Sequence, residues 1–370
     1  MSDDRQDIEI EVPVVAPNAG PSVMSDLMEV DDALAKDIMY LVGGVEHYRN
    51  PKHTSHKAFS LSLEDEDSGG LSKLIEALIK FLIRMMDDLT EGTTAISLNL
   101  NRIVTRAEAI NTSSRAERRV NKETKFKIET RIPNLCVNFK PINDPQRILM
   151  YLKSVDVIIR KYFKYQEDEL LKVIPSIIQL DPAAPQHLDQ LVAILNNVSP
   201  TAFANGAGFN NDGFRMVGPH LLGNQQLLVL SKKANSDPVE QLTGQEFILQ
   251  PSDAEPKAPP DYLEFDVFAR TIEQSILRQI IVTSTDLAGR IGMLARMRRN
   301  GRVKDIVNYL EVIRKGVAQN QYQGEALQNA TSFILLLEAF NNWLVNPYLN
   351  LLALSCRNMS AILNVCEANN

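Results

Sequence analysis

No Gly-Lys pair occurs anywhere in the chain, so a phosphate-binding loop, which needs lysine directly after a glycine-rich turn, has no place in it. A Gly-x-Ser-x-Gly nucleophile elbow is missing too. Gly206, Gly208 and Gly213 are wrongly spaced for a dinucleotide turn and follow SPTAFAN rather than a buried strand, so they read as a loop. Cysteine is scarce. Cys136, Cys356 and Cys366 are odd in number and match neither a zinc site nor a disulfide framework, which predicts free, mostly buried thiols in a chain made in a reducing cytoplasm. No uncharged apolar run approaches the roughly eighteen residues of a membrane helix. The N-terminus, MSDDRQDIEIEV, is acidic where a secretory leader would be basic and then apolar, so neither export nor a stable membrane span is expected.

Residues for chemistry are equally thin. His53 and His56 are spaced as on a metal-binding turn, but no cysteine or acidic ligand accompanies them at matching spacing. His187 and His220 lack the partner pattern of a nucleophilic triad. Glu167, Asp168 and Glu169, or Asp261, Glu264 and Asp266, could be brought together as paired carboxylates, although such groups commonly cap and solvate helices. The expectation is a non-enzymatic protein with no catalytic residue, no cofactor and no metal.

What is present is charge, unevenly placed. Residues 1–64 carry twelve acidic side chains against five basic ones, a balance of −7 that accounts for the net charge of the whole 370-residue chain. The remainder holds 34 of each sign. His47, His53 and His56 also lie in this leader, so mild acid would soften its charge. Residues 1 to about 29 combine acids with Pro13, Pro17, Gly20 and Pro21 and show no sustained period, the pattern of a disordered arm. From Asp31, Leu34, Ile38, Leu41, Val42 and Val45 share one face of an expected helix that ends between Gly43 and Arg49. The polar stretch NPKHTSHKAFSLSLEDEDSGG then reads as an exposed linker.

Helical periodicity dominates beyond the linker, with 44% hydrophobic residues available to fill a core. Leu71–Leu89 is the most apolar segment, leaving only the narrow stripe of Lys73, Glu76, Lys80, Arg84 and Asp87; it reads as a central bundle helix or as a segment able to touch a bilayer. A separate helix is expected from Ser97 to about Thr124. Between Phe126 and Phe139 the period changes to 2, predicting a short extended pair. Asp144-Pro145 is an N-cap followed by proline at the first helical position, opening a helix towards Leu170. Further helices are expected at Gln186–Asn197, Phe265–Ala295, Arg302–Gln319, Glu325–Leu344 and Tyr348–Glu367, the last two divided at Asn346-Pro347. Leu227–Leu230 and Phe247–Leu249 can pair as strands.

The expected fold class is mainly α, a multi-helix bundle with a small hairpin-type β subregion, with α+β as the alternative. The expected organisation is an acidic propeptide over 1–64, a helical body with short strands over 65–250, a proline-rich connector over 251–260 and a helical region over 261–370. Two basic clusters could meet phosphate: Arg115, Arg118, Arg119 and Lys122, and Arg290, Arg296, Arg298, Arg299 and Arg302. Neither has interleaved aromatics, and an electrically neutral body exerts no overall pull on a polyanion, so solvated helix faces and nonspecific DNA contact both stand.

The string Ala58-Phe59-Ser60-Leu61-Ser62-Leu63-Glu64, followed by Asp65-Glu66-Asp67, resembles the propeptide junction of the phiKZ-like giant bacteriophage internal head proteins. The resemblance implies cleavage by a prohead protease after a small residue, any residue and glutamate, which Ser62, Leu63 and Glu64 satisfy. Gly44-Val45-Glu46 and Gly244-Gln245-Glu246 satisfy it as well, but only the Glu64 site sits in an exposed polar linker just before the first strong core helix. The order of elements, and PHLLGNQQLLVL as a turn leading into a short strand, are also similar to that family. It implies a virion structural protein of the capsid interior, packaged with DNA beside other head proteins. The competing expectation is a non-virion helical adaptor that binds a partner through Leu71–Leu89.

Overall fold

The structure is a computed structural model, and it describes residues 68–116, 124–231, 237–297, 301–345 and 347–370. The leader, with Ser62, Leu63 and Glu64, lies outside the described residues.

The first element, α1 (Ser68–Ala116), is one continuous helix of 49 residues, about 74 Å long. This corrects the expectation of one helix over Leu71–Leu89 and a separate one from Ser97, between which Gly92 lies. The glycine does not end the helix because it is a contact point: a Cβ there would lie 2.9 Å from Leu349 Cδ1. Thr90 and Thr94 keep the turn closed by donating to Met86 O and Thr90 O at 2.7 and 2.8 Å. Leu71, Leu74, Ile75, Leu78, Leu82, Ile96, Leu100, Ile103 and Ala107 form its buried stripe.

The Phe126–Phe139 region is a second correction, since its strand pairs at long range instead of with its neighbour. β1 (Lys125–Ile128) runs antiparallel to β8 (Leu263–Asp266), with Phe126 opposite Phe265 and their rings stacked 5.4 Å apart. A local hairpin is prevented by left-handed Arg131, by the 3-10 turn Ile132–Leu135 and by left-handed Asn138 and Phe139, which fold the chain into the two-residue strands β2 (Cys136–Val137) and β3 (Lys140–Pro141). Phe265 and Asp266, expected to open a helix, are instead strand, paired with Phe126 and Lys125, and the helix begins at Arg270.

α2 (Pro145–Lys164) opens as anticipated, with the Asp144 carboxylate accepting from the Gln146 N–H at 2.9 Å. It passes through a π-helical turn, Tyr165–Leu170, into α3 (Leu171–Ile177). α4 (Pro185–Asn197) and α5 (Pro200–Ala207) follow, so Gly206 is helical and Gly208 is the left-handed cap that ends α5. β4 (Asn210–Asp212), β5 (Arg215–Leu221), β6 (Gln225–Leu230) and β7 (Glu246–Pro251) form an antiparallel sheet in that order, with α6 (Pro238–Thr243) between the last two. Leu227 to Leu230 does pair with Glu246 to Leu249, Leu228 opposite Ile248. β5 escaped sequence reading because Gly218-Pro219 interrupts it, and the register shifts there.

α7 (Arg270–Met297), α8 (Val303–Ala318), α9 (Glu325–Val345) and α10 (Tyr348–Ala368) complete the chain, with α1 packed chiefly against α7 and also against α8, α9 and α10. Within Glu325–Ala368 lies a stretch apolar and long enough to cross a membrane, yet 89% of it is buried inside the fold, as suits core helices. α10 is also pinned by polar contacts. Arg106, 4% exposed in its side chain, reaches Glu367 and Asn364, and buried Glu273 accepts from the side-chain amides of Asn369 and Asn370. One contiguous core runs from Leu71 to Cys366, and Cys136, Cys356 and Cys366 are free and buried. The described residues are 69% helical with small antiparallel sheets: the fold is mainly α with a minor β part.

Candidate functional site

α2 and α7 run side by side and in the same direction, because their polar contacts advance together along both helices. Asp156 meets Thr283 at 3.2 Å, Arg160 meets Asp286 at 3.0 Å, and Glu167 meets Arg290 at 3.6 Å. Arg160 also holds Asp156 at 3.0 Å and Arg290 holds Asp286 at 3.1 Å, so alternating charges form one half-buried ladder. The π turn makes the last rung. Its inward residues are fixed by Tyr165 donating to Val198 O at 2.7 Å and by Gln166 donating to Tyr162 Oη and Trp343 O. The extra residue in that turn rotates Glu167 towards α7. Burial pushes the Glu167 carboxyl above its ordinary range, and Arg290 partly opposes it.

Beside the ladder lies an open face. On α2, Arg147, Met150, Lys153, Val157, Lys161 and Lys164 are all exposed, at spacings of three and four residues. Met150 and Val157 are each 51% exposed, and on α7 Val282 is 48% and Met293 38% exposed. Val157 follows ladder residue Asp156 by one position, whereas Val282 precedes ladder residue Thr283 by one. A step of about 100° forward on one helix and about 100° back on its parallel neighbour turns both side chains to the same side. Gly289 and Gly292 keep the α7 half low, with open space where a Cβ would be. The only acids in the stretches Arg147–Lys164 and Ser275–Met293 are Asp156 and Asp286, both occupied in the ladder. Arg147, Lys153, Lys161 and Lys164 enter no ion pair among the described residues, although Lys161 donates to Ala207 O at 3.2 Å.

This exposed face carries both cationic and apolar side chains, and it is not where sequence density pointed. Arg290, one of the residues expected to be able to meet phosphate, is paired with Asp286 at 3.1 Å and with Glu167 at 3.6 Å. Arg302 is exposed at the start of α8. Arg115 and Arg296 lie in the last turns of α1 and α7, where only the backbone is described; Arg118, Arg119, Lys122, Arg298 and Arg299 lie outside the described residues. Of the expected basic residues, only Arg290 and Arg302 have described side chains. The signal for this face was periodic: Arg147, Met150, Lys153, Val157, Lys161 and Lys164 recur every three or four residues along one helix.

Among the described residues, other titratable groups singled out from the sequence make structural contacts. His187 accepts from the Asp181 N–H at 2.8 Å, a turn contact. Ser252 donates to Asn138 Oδ1 and lies 3.4 Å from His220 Nδ1. Glu264 is paired with Lys125 at 2.6 Å, an exposed cross-strand contact. Among the described residues no group of three histidine, cysteine or acidic side chains is placed to hold a metal. Glu338 on α9 stands apart, its carboxyl pushed up to about 7 by burial.

Comparison of the chain with protein-family models, with curated proteins and with solved structures found no match.

Proposed function

We propose that the chain is the precursor of an internal virion structural protein of a giant tailed phage. It is made in the host cytoplasm and packaged in the capsid interior with DNA and other head proteins, after a prohead protease removes residues 1–64. It has no enzymatic role, and it is suited to ejection with the genome. The observation that carries this reading is the position of Ser62, Leu63 and Glu64. They stand between a leader of charge −7 and a body of balanced charge, four residues before α1 begins at Ser68. The leader repels DNA and keeps the precursor soluble during assembly; the body left after cleavage tolerates close-packed DNA. Among the described residues the core begins at Leu71, just inside α1. An adaptor acting through Leu71–Leu89 is disfavoured, because Leu71, Leu74, Ile75, Leu78, Ile79 and Leu82 are spent inside the body.

Intact mass of the protein recovered from purified particles tests the proposal. The expected product begins at Asp65; a chain in particles that still begins at Met1 refutes the processing step.

A further inference from the structure

The open face on α2 and α7 has a matching segment in the same chain, and we infer that residues 31–46 of the leader dock on it in the precursor. The inference rests on the leader of the proposed precursor but not on its removal.

The match is in both apolarity and charge. On helical pitch, Leu34, Ile38, Leu41, Val42 and Val45 of the leader share one side. Asp37 falls about 100° to one side of Ile38 and Glu46 about 80° to the other, while Lys36 falls about 160° away, on the far side. The receiving face offers the same two properties. Met150, Val157, Val282 and Met293 supply exposed apolar surface, and Arg147, Lys153, Lys161 and Lys164 line its α2 side, where the only acid between Arg147 and Lys164 is Asp156, engaged in the ladder. Gly289 and Gly292 leave room for a helix to approach closely. The residues between Glu46 and Ser68 span up to about 70 Å when extended, more than twice the length of α2, which is about 30 Å. A DNA duplex would satisfy the lysines but not the four apolar side chains, which is why an acidic amphipathic segment is the better occupant. Docked, the leader covers the basic face; once cleaved off, it leaves that face open.

Carbodiimide coupling of carboxylates to amines in the full-length protein, mapped by mass spectrometry, reads the contact directly. Coupling from Asp37 and Glu46 should favour Lys153, Lys161 and Lys164 over Lys73 and Lys304, which are also exposed, by about tenfold. A second readout is amide hydrogen exchange over residues 31–46. The triple variant Lys153→Glu, Lys161→Glu, Lys164→Glu, which alters exposed positions only, should raise it about tenfold, and adding Asp37→Lys with Glu46→Lys should restore protection. Coupling spread evenly over all exposed lysines, or exchange indifferent to the triple variant, overturns the inference. So does coupling that grows with protein concentration, since that would place the leader on another copy. Because every measurement uses the uncleaved chain, these failures are distinct from an unprocessed product in particles.

Discussion

Replacing Glu338 with glutamine should stabilise the protein at neutral pH and do little in acid. The carboxyl titrates at about 7 in the fold against 4.5 ordinarily, and burial alone is the cause. A raised folded value means that the native state holds a proton the unfolded chain has released. The stabilising difference is therefore complete below about pH 4.5 and is lost as pH rises towards 7; above that the buried carboxylate is charged in both states. At 1.36 kcal/mol per unit, the window of about 2.5 units corresponds to roughly 3 kcal/mol. Glutamine has nearly the same shape and no charge. Glu338→Gln and wild type should thus unfold at nearly the same urea concentration at pH 4.5, while at pH 8 the variant should gain up to about 3 kcal/mol. A gain of equal size at both pH values would refute the reasoning, because it would come from packing and not from ionisation. A Glu338 carboxyl seen by NMR to titrate near 4.5 would refute it independently.

Three further outcomes follow from the packing. Arg106→Met should cost about 3–5 kcal/mol in urea unfolding by stranding Glu367 in a partly buried site, and Arg106→Met with Glu367→Met should recover most of the loss. Gly223→Ala should destabilise by at least about 1 kcal/mol, since φ is 83° and Leu354 lies 2.8 Å from the new Cβ, whereas Gly206→Ala, helical and open, should gain up to about 1 kcal/mol. Thermal midpoints of the two variants should move in opposite directions. The thiols of Cys136, Cys356 and Cys366 should resist a soluble disulfide reagent in the native protein, and all three should react once urea unfolds the chain.

Signals that act over a few residues survived the comparison of sequence with structure. Asp144-Pro145 opens α2 because a carboxylate beside an unsatisfied N–H and a preset φ need no distant partner. Pro347 divides α9 from α10 for the same local reason. The pairing of Leu227 to Leu230 with Phe247 to Leu249 was legible because two β-rich runs flank a connection of turn residues. The candidate site was legible only in its parts. Its basic residues are plain in the sequence, but density along the chain favoured the stretch around Arg290, whose charge turns out to be engaged.

By itself, the order of residues determined the mainly helical class, the ends of several helices, the buried thiols and the charge divide at Glu64, since each follows from propensity, periodicity or counting. Tertiary structure decided whatever depends on residues far apart in the chain. It made Gly92 a seat for Leu349 instead of a break, gave Phe126 its partner in Phe265, and set Arg290 between Asp286 and Glu167. A side chain's type states what it can do within a turn or two of its own backbone. Which neighbour uses that capacity is settled only when the core closes.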